Sequence, residues 1–412
     1  MRYILGITLL VWSGCKAPAT LRPATDESIP LILISLDGFR SDYWQKTEAP
    51  ALRQLVAAGV RAEWMTPSFP SKTFPNHYTL VTGLYPDHHG IINNTMYDST
   101  QTDFFSLRNR KAVTDPHWWG GEPIWVTAQK QGKRSGVMFW PGSETPIKGV
   151  HPTYWKVYEH EMPGIARVDT MLAWLDLPQE KRPQLFTLYF SQTDDAGHRY
   201  GPDAPETEAA IREVDGYLAP LLAGLEKRGM AGKVNLIVTS DHGMLNISLD
   251  RVMQVEDYVD MRQLERYIGG EIGYFWPKKG KTDSVLQALK RMPNAQTYKK
   301  EALPKRFHYG THYRISPIIS LSHEGWMQMT REQFRYAQNN PNYNKGTHGH
   351  DNALASMRAT FIANGPAFKK GKTVSAFDNI HLYALLCHLL GVTPASNDGQ
   401  LSAIRAVLRG AP

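Results

Sequence analysis

The chain has 412 residues, 42% of them hydrophobic and 21% charged, an ordinary globular composition with ample length for a large core. Length alone allows two or three domains, although large α/β enzymes often run as one. The formal net charge is +7, from 46 basic and 39 acidic residues without a long basic run. Stable nucleic-acid binding is therefore not what the charge favours; a mild positive excess suits an anionic substrate or simply a soluble surface.

The N-terminus reads as a targeting segment over 1–15. Arg2 precedes an apolar run from Tyr3 to Trp12, followed by Ser13, Gly14 and Cys15. The run is too short for a spanning helix and fits a secretory signal. Small residues before Cys15 resemble a bacterial lipoprotein cleavage site, although Trp12 stands where an aliphatic residue is usual. An ordinary cleavage near Ala17–Ala19 is the alternative. The expectation is an exported, periplasmic protein of bacterial type, which a lipid on Cys15 would attach to the outer membrane. Residues 16–29, rich in Pro, Thr and Ala, read as a tether. Cys387, in HLYALLCHLL, reads as a buried core residue, and no disulfide is expected.

From residue 30 the chain alternates strands and helices. Strand 31–36 is followed by a helix near 48–59 that ends at Gly59. A further strand–helix unit ends at VTGLYP. GKRSGVMFW (132–140) reads as a strand, helices follow near 167–175 and 206–227, and a strand at 234–239. The pattern predicts a doubly wound, mostly parallel α/β sheet with helices on both faces. Between Met244 and Thr347, VLQALKRM reads as a helix, and RISPIISLS and WMQMT read as strands. This stretch, 245–346, reads as a cap inserted into one catalytic domain over 30–410. The core pattern resumes with ATFIANGPAF and a last helix through HLYALLCHLLG.

Three apolar segments, LILISLD, LFTLYFSQTD and VNLIVTSD, each read as a buried strand ending in an aspartate: Asp37, Asp194 and Asp241. His198 lies four residues after Asp194, and His242 follows Asp241. Ligands of parallel sheets gather outside the carboxyl ends of strands. Three carboxylates and two imidazoles on one rim are costly without a cation, so the pattern points first to a metal site.

In PSFPSKTFPNHYTLVTGLYPDHHGIINN (67–94), Thr73 precedes Phe74, Pro75 and a helix-compatible run to Thr82 and Gly83. Threonine is a good N-cap and proline belongs in a first turn. Thr73 then caps a helix N-terminus, where N–H groups and the dipole favour anions. Taken by itself this is a capping residue. A nearby cation would make its hydroxyl a nucleophile.

With SLDGFR (35–40), PSKTFPNHYTLVTGLYPDHHGI (70–91), DDAGHRYGP (194–202), SDHGM (240–244) and THGHDN (347–352) in order along the chain, the sequence resembles the nucleotide pyrophosphatase/phosphodiesterase family of the alkaline phosphatase superfamily. The resemblance implies an alkaline phosphatase-like fold, two zinc ions and a threonine nucleophile. By motif, one zinc falls to Asp194, His198 and His348, the other to Asp37, Asp241 and His242 with Thr73. It further implies that Asn94 and the Phe74 N–H donate to a phosphoryl oxygen, and that Phe74 and Tyr158 sandwich a nucleobase.

Asp195 competes with Asp194, and His350 with His348; the family spacing selects Asp194 and His348. His77, His88 and His89 read as structural. Ligands without cysteine suit zinc, with manganese or iron as alternatives. No sulfatase signature surrounds Thr73, and neither a third metal site nor a phosphate-clamping arginine is apparent. The resulting reading is a dizinc phosphodiesterase that releases nucleoside monophosphates from nucleotide-like diesters or pyrophosphates. The alternative is a phospholipid or glycerophosphodiester phosphodiesterase of choline type; a non-catalytic metal-binding surface protein has no use for the nucleophile.

Overall fold

The computed structural model describes residues 29–410. The expected signal segment with Cys15, and nearly all of the tether, lie outside the described residues.

Leu31–Leu36 is the strand around which the molecule is organised. All six residues are buried, and they alternate between two cores: Leu31 and Leu33 join one cluster, Ile32, Ile34 and Leu36 the other. Burial on both faces is why LILISL is apolar almost throughout. It sits inside an eight-stranded sheet in the order Lys372–Val374, Val60–Ala62, Phe361–Asn364, Asn235–Thr239, Leu31–Leu36, Leu185–Phe190, Ser135–Met138, Tyr154–Trp155. All neighbours are parallel except Phe361–Asn364, which is antiparallel to both partners. The doubly wound, mostly parallel sheet expected from the sequence is therefore present.

Helices cover both faces. Pro50–Ala58, Gly164–Leu175 and Pro205–Lys227 pack on one side through residues such as Leu52, Met171 and Leu218. Thr73–Thr82, Ile124–Lys130 and Leu382–Leu390 pack on the other through Leu80, Trp125 and Leu386. Cys387 is a buried free thiol in the last of these.

One element differs from the sequence reading. The strand of LFTLYFSQTD stops at Phe190, and Gln192–Tyr200 is helical. Ser191 turns the backbone to φ −101°, ψ −12°. Asp194 and Asp195 lie in the first turn, where the positive end of the helix dipole favours acids. Asp194 is thus a helix residue, and His198 lies one turn further along the same face.

The stretch after Met244 builds a second, antiparallel sheet in the order Leu264–Ile268, Ile272–Pro277, Ile318–Ser322, Ala295–Lys299. Helix Thr282–Leu289 packs on it through Val285, Leu286 and Leu289, giving the excursion a small core of its own. The excursion leaves and returns through one short ladder, with Leu245 opposite Thr347 and Asn246 opposite Gly346. Two buried acids tie it to the main body. Asp87 accepts from the backbone N–H groups of Gly310, Thr311 and His312. Asp98 accepts from Arg314 Nε at 3.0 Å and from Tyr313 Oη at 2.6 Å. No helix among the described residues is long and apolar enough to cross a membrane.

Candidate metal centre and adjoining cleft

The strands Leu31–Leu36, Leu185–Phe190 and Asn235–Thr239 are in register, with Leu36 opposite Phe190 and Ser35 opposite Thr239. Asp37 and Asp241 therefore leave the sheet side by side, and the helix carrying Asp194 starts beside them. Gly38, at φ +65°, makes the turn after Asp37; a Cβ there would meet Asp194 Cα at 3.1 Å, so only glycine permits this approach. His348 arrives from the returning foot of the excursion.

These side chains converge. Asp194 Oδ1 lies 3.5 Å from His198 Nε2 and 3.6 Å from His348 Nε2. His242 Nε2 lies 3.5 Å from Asp37 Oδ1 and 2.9 Å from Asp241 Oδ2. Three sets of donor atoms fall within 4.8 Å of one another: Asp194–His198–His348, Asp37–Asp194–His242 and Asp37–His77–Asp241. Asp194 is common to the first two, which places the clusters side by side.

The tautomers are fixed by geometry. Nδ1 of His198 faces the Gly346 carbonyl at 2.9 Å, Nδ1 of His242 faces that of Gly243 at 2.9 Å, and Nδ1 of His348 faces that of Ser71 at 2.8 Å. A carbonyl only accepts, so each Nδ1 carries the proton and each Nε2 turns a lone pair into the site. Facing these lone pairs, Asp37 Oδ1, Asp194 Oδ1 and Asp241 Oδ2 are buried and have no hydrogen-bond partner. Acceptors aimed at acceptors in a buried space fit a cation and little else.

Electrostatics point the same way. Burial, with the nearby charges of Asp241 and Asp194, pushes the Asp37 carboxyl well above the usual range. His348 is pushed well down by burial and by the proximity of His242 and Lys72. Tyr189 Oη donates to the other Asp37 oxygen at 2.6 Å, and the Gly38 N–H to Asp241 Oδ1 at 3.1 Å, which orients both carboxylates.

Thr73 is the first residue of helix Thr73–Thr82, and Lys72 is the N-cap, so the expectation of Thr73 as cap is corrected. Its hydroxyl satisfies no helix N–H; Oγ1 lies 3.3 Å from His242 Nε2, at the metal cluster. The Phe74 N–H is likewise not free, since it donates to Asn94 Oδ1 at 2.9 Å. The structure pairs this N–H with Asn94, where the resemblance implied donation to a phosphoryl oxygen. That bond fixes the Asn94 amide with its NH2 as the remaining donor.

His77 lies closer to the centre than its structural reading suggested, yet both ring nitrogens are engaged, Nδ1 with Thr73 O at 2.9 Å and Nε2 with Ser35 Oγ at 2.8 Å. His88 pairs with Asp398 at 2.7 Å. His89 is buried among Ile91 N, Thr79 Oγ1 and Pro75 O. Asp195 faces His160 at 3.6 Å, and His350 Nε2 faces Trp326 O at 3.2 Å; neither joins a ligand cluster.

Phe74 and Tyr158 line one cleft of about 530 Å3 that also opens on Asp37, Thr73 and Asp194. Phe74 packs on Phe105 and Trp119, with ring centroids 5.8 and 6.0 Å away. Tyr158 is held edge-on to Phe139 at 5.1 Å, and its backbone N–H donates to Glu144 at 3.2 Å. Sequence reasoning missed Tyr189 and Lys72. Lys72 forms a largely buried ion pair of 2.5 Å with Glu271 of the excursion. Only the tertiary fold brings these partners together.

The family model described as Type I phosphodiesterase / nucleotide pyrophosphatase matches residues 31–351. The chain is 40% identical over 403 residues to the venom phosphodiesterase CdcPDE of Crotalus durissus collilineatus, covering 95% of this chain and 48% of that relative. It is 37% identical over 400 residues to ectonucleotide pyrophosphatase/phosphodiesterase family member 1 of Homo sapiens, covering 94% and 42%. The chain thus spans about half the length of the curated relatives it matches. Among solved structures it is similar to murine ectonucleotide pyrophosphatase / phosphodiesterase 5, an inactive threonine-to-alanine variant in complex with AMP. That similarity has a TM-score of 0.86 at 37% identity and covers 92% of this chain and 99% of that one.

Proposed function

The chain belongs to the type I phosphodiesterase / nucleotide pyrophosphatase family, and from that premise we propose that it hydrolyses nucleotide phosphodiester or pyrophosphate bonds to nucleoside monophosphates, with two zinc ions and Thr73 as nucleophile. The observation that carries this reading is the set of three orphaned carboxylate oxygens facing imidazole Nε2 atoms beside Thr73 Oγ1. Asp194, His198 and His348 would hold one ion; Asp37, Asp241 and His242, with Thr73, the other. Bound there, the ions would neutralise the carboxylates, favour ionisation of the Thr73 hydroxyl and polarise the phosphoryl group.

The chain's own residues do the rest. Thr73 Oγ1 attacks phosphorus in line; the Thr–O–P bond forms, the bond to the leaving oxygen breaks, and the hydroxyl proton passes to the released group. Water then attacks the phosphorus of the nucleotidyl-threonine, the Thr–O–P bond breaks, water's oxygen stays on the nucleoside monophosphate, and a proton returns to Thr73 Oγ1. The Asn94 NH2 donates to a phosphoryl oxygen where charge builds up. Phe74 and Tyr158 stack on the nucleobase, and the cleft excludes water around it. The AMP complex of the murine relative, inactive with its threonine replaced, supports both the product class and the nucleophile. Export, with a lipid on Cys15, is proposed from residues 2–15 alone and is tested by membrane fractionation of the wild type and Cys15→Ser.

The substrate class is tested by Phe74→Ala/Tyr158→Ala. Two lost stacking contacts predict a selective loss of about 2–4 kcal/mol on a nucleotide diester relative to a methyl phosphodiester with the same leaving group. Equal slowing of both would mean that the aromatics are scaffold, and would revive the choline-type diesterase.

A further inference from the structure

Beyond the proposed metal ligands the cleft continues. Arg108 and Asp195 line both the aromatic cleft and a second pocket of about 420 Å3, whose other walls are His198, Arg199, Asn342 and Asn344. Arg108 and Arg199 are exposed, and among the described residues neither forms an ion pair. Arg199 only lies over the Tyr200 ring, 5.4 Å from its centroid. By contrast Arg110, on the aromatic side of the same rim, is committed to Glu144. The pocket's one carboxylate, Asp195, faces His160 at 3.6 Å. Asn344 Nδ2 lies 3.4 Å from His198 Nδ1, which brings a side-chain amide to the edge of the metal centre. Two uncommitted guanidiniums and two amides thus face one acid.

The direction of the reaction gives this pocket a role. Thr73 lies against His242, in the cluster away from His198. In-line displacement puts the leaving oxygen opposite the nucleophile. With the nucleoside in the aromatic cleft, the leaving group departs past His198 and enters the pocket between the arginines. Guanidinium is the side chain best matched to phosphate oxygens, which it binds in pairs.

We propose that Arg108 and Arg199 form a subsite for a phosphate-bearing leaving group, such as the pyrophosphate released from a nucleoside triphosphate. The inference rests on the phosphodiesterase reading and deepens it, since it makes polyphosphorylated nucleotides better substrates than diesters with an uncharged leaving portion.

The test measures kcat/KM for thymidine triphosphate and for the nitrophenyl ester of thymidine monophosphate, with the wild type, Arg108→Gln/Arg199→Gln and Arg108→Lys/Arg199→Lys. The two substrates share the nucleoside and the reacting phosphorus. The ratio of triphosphate to ester should fall about tenfold or more in the glutamine pair and by a smaller factor in the lysine pair, which keeps the charge but not the paired contacts. Added salt should lower the ratio in the wild type and leave it flat in the glutamine pair. A glutamine pair that turns over both substrates with the wild-type ratio overturns the subsite alone. A wild type that turns over neither substrate overturns the phosphodiesterase reading and the subsite with it.

Discussion

Replacing Arg314 by methionine should loosen the tie between the excursion and the main body. The Arg314 side chain is 3% exposed and that of Asp98 is fully buried. Besides Nε on Asp98, the guanidinium donates to the carbonyls of Gly90, Trp118 and His117, each at 3.0 Å. Breaking one partner out of a buried pair costs about 3–5 kcal/mol. Here Thr100 Oγ1 at 2.6 Å, Tyr313 Oη at 2.6 Å and His117 Nε2 at 2.9 Å still face the carboxylate, so the lower end, about 3 kcal/mol, is expected. Asp98→Asn should cost a similar amount, because it leaves a buried guanidinium without its counter-ion. The double variant should cost less than the sum by about 2 kcal/mol. Urea unfolding followed by tryptophan fluorescence and circular dichroism gives all four free energies. The pH dependence has a definite sign. Burial would raise the Asp98 carboxyl, but donation from Thr100, Tyr313, His117 and Arg314 holds it well below the usual range. A depressed carboxyl contributes stability above its unfolded value of about 3.9, and loses it only as pH falls through its folded value. The gap between wild type and Asp98→Asn should therefore persist at neutral pH and close only in strong acid. A cost below about 1 kcal/mol for Arg314→Met, or strict additivity, would refute the reasoning.

Thr73→Ala should lower turnover by several orders of magnitude while zinc content and unfolding midpoint stay near wild type, because Oγ1 caps nothing in its helix; near-normal diester hydrolysis would rule out the covalent route. A chelator should abolish activity and zinc restore it, and His348→Ala should empty the ion shared with Asp194 and His198 first; a single ion per chain in the reconstituted wild type would contradict the pair. His89 is buried, which pushes its imidazole down to about 3. Its Nδ1 accepts from the Ile91 N–H and its Nε2 faces Pro75 O, so the neutral form is the one that fits. A lowered imidazole contributes stability above about pH 6.5 that is lost as pH falls towards its folded value. The stability difference between wild type and His89→Gln should thus shrink from pH 7 to pH 4.5, and a constant difference would show that His89 titrates alike in the folded and unfolded chain.

The apolar runs were legible because strands buried on both faces must be apolar, and the motif aspartates mark where such runs stop. Asp194 shows the limit of that rule. A strand-like run and the first turn of the next helix are continuous in sequence, and only the Asp-x-x-x-His spacing signals that Asp194 and His198 share a helical face. Thr73 was misplaced by one position, since a cap and a first-turn residue have nearly the same composition around them. The Phe74–Asn94 bond, the Tyr189 hydroxyl on Asp37 and the Lys72–Glu271 pair left no local signal. Each joins residues distant in the chain, and which of them meet is decided by strand register and by where the excursion folds back.

The ladder of Leu245–Asn246 with Gly346–Thr347 stands only a few residues from His242 on one side and His348 on the other. It pins the ends of the excursion whatever lies between them. Closing a longer loop between fixed ends costs only about 0.6 kcal/mol for each doubling of its length. Material added or removed beyond the ladder need not shift either histidine. The chain can therefore vary what it presents around its reaction centre over evolutionary time, at little entropic cost, without rebuilding the chemistry at its base.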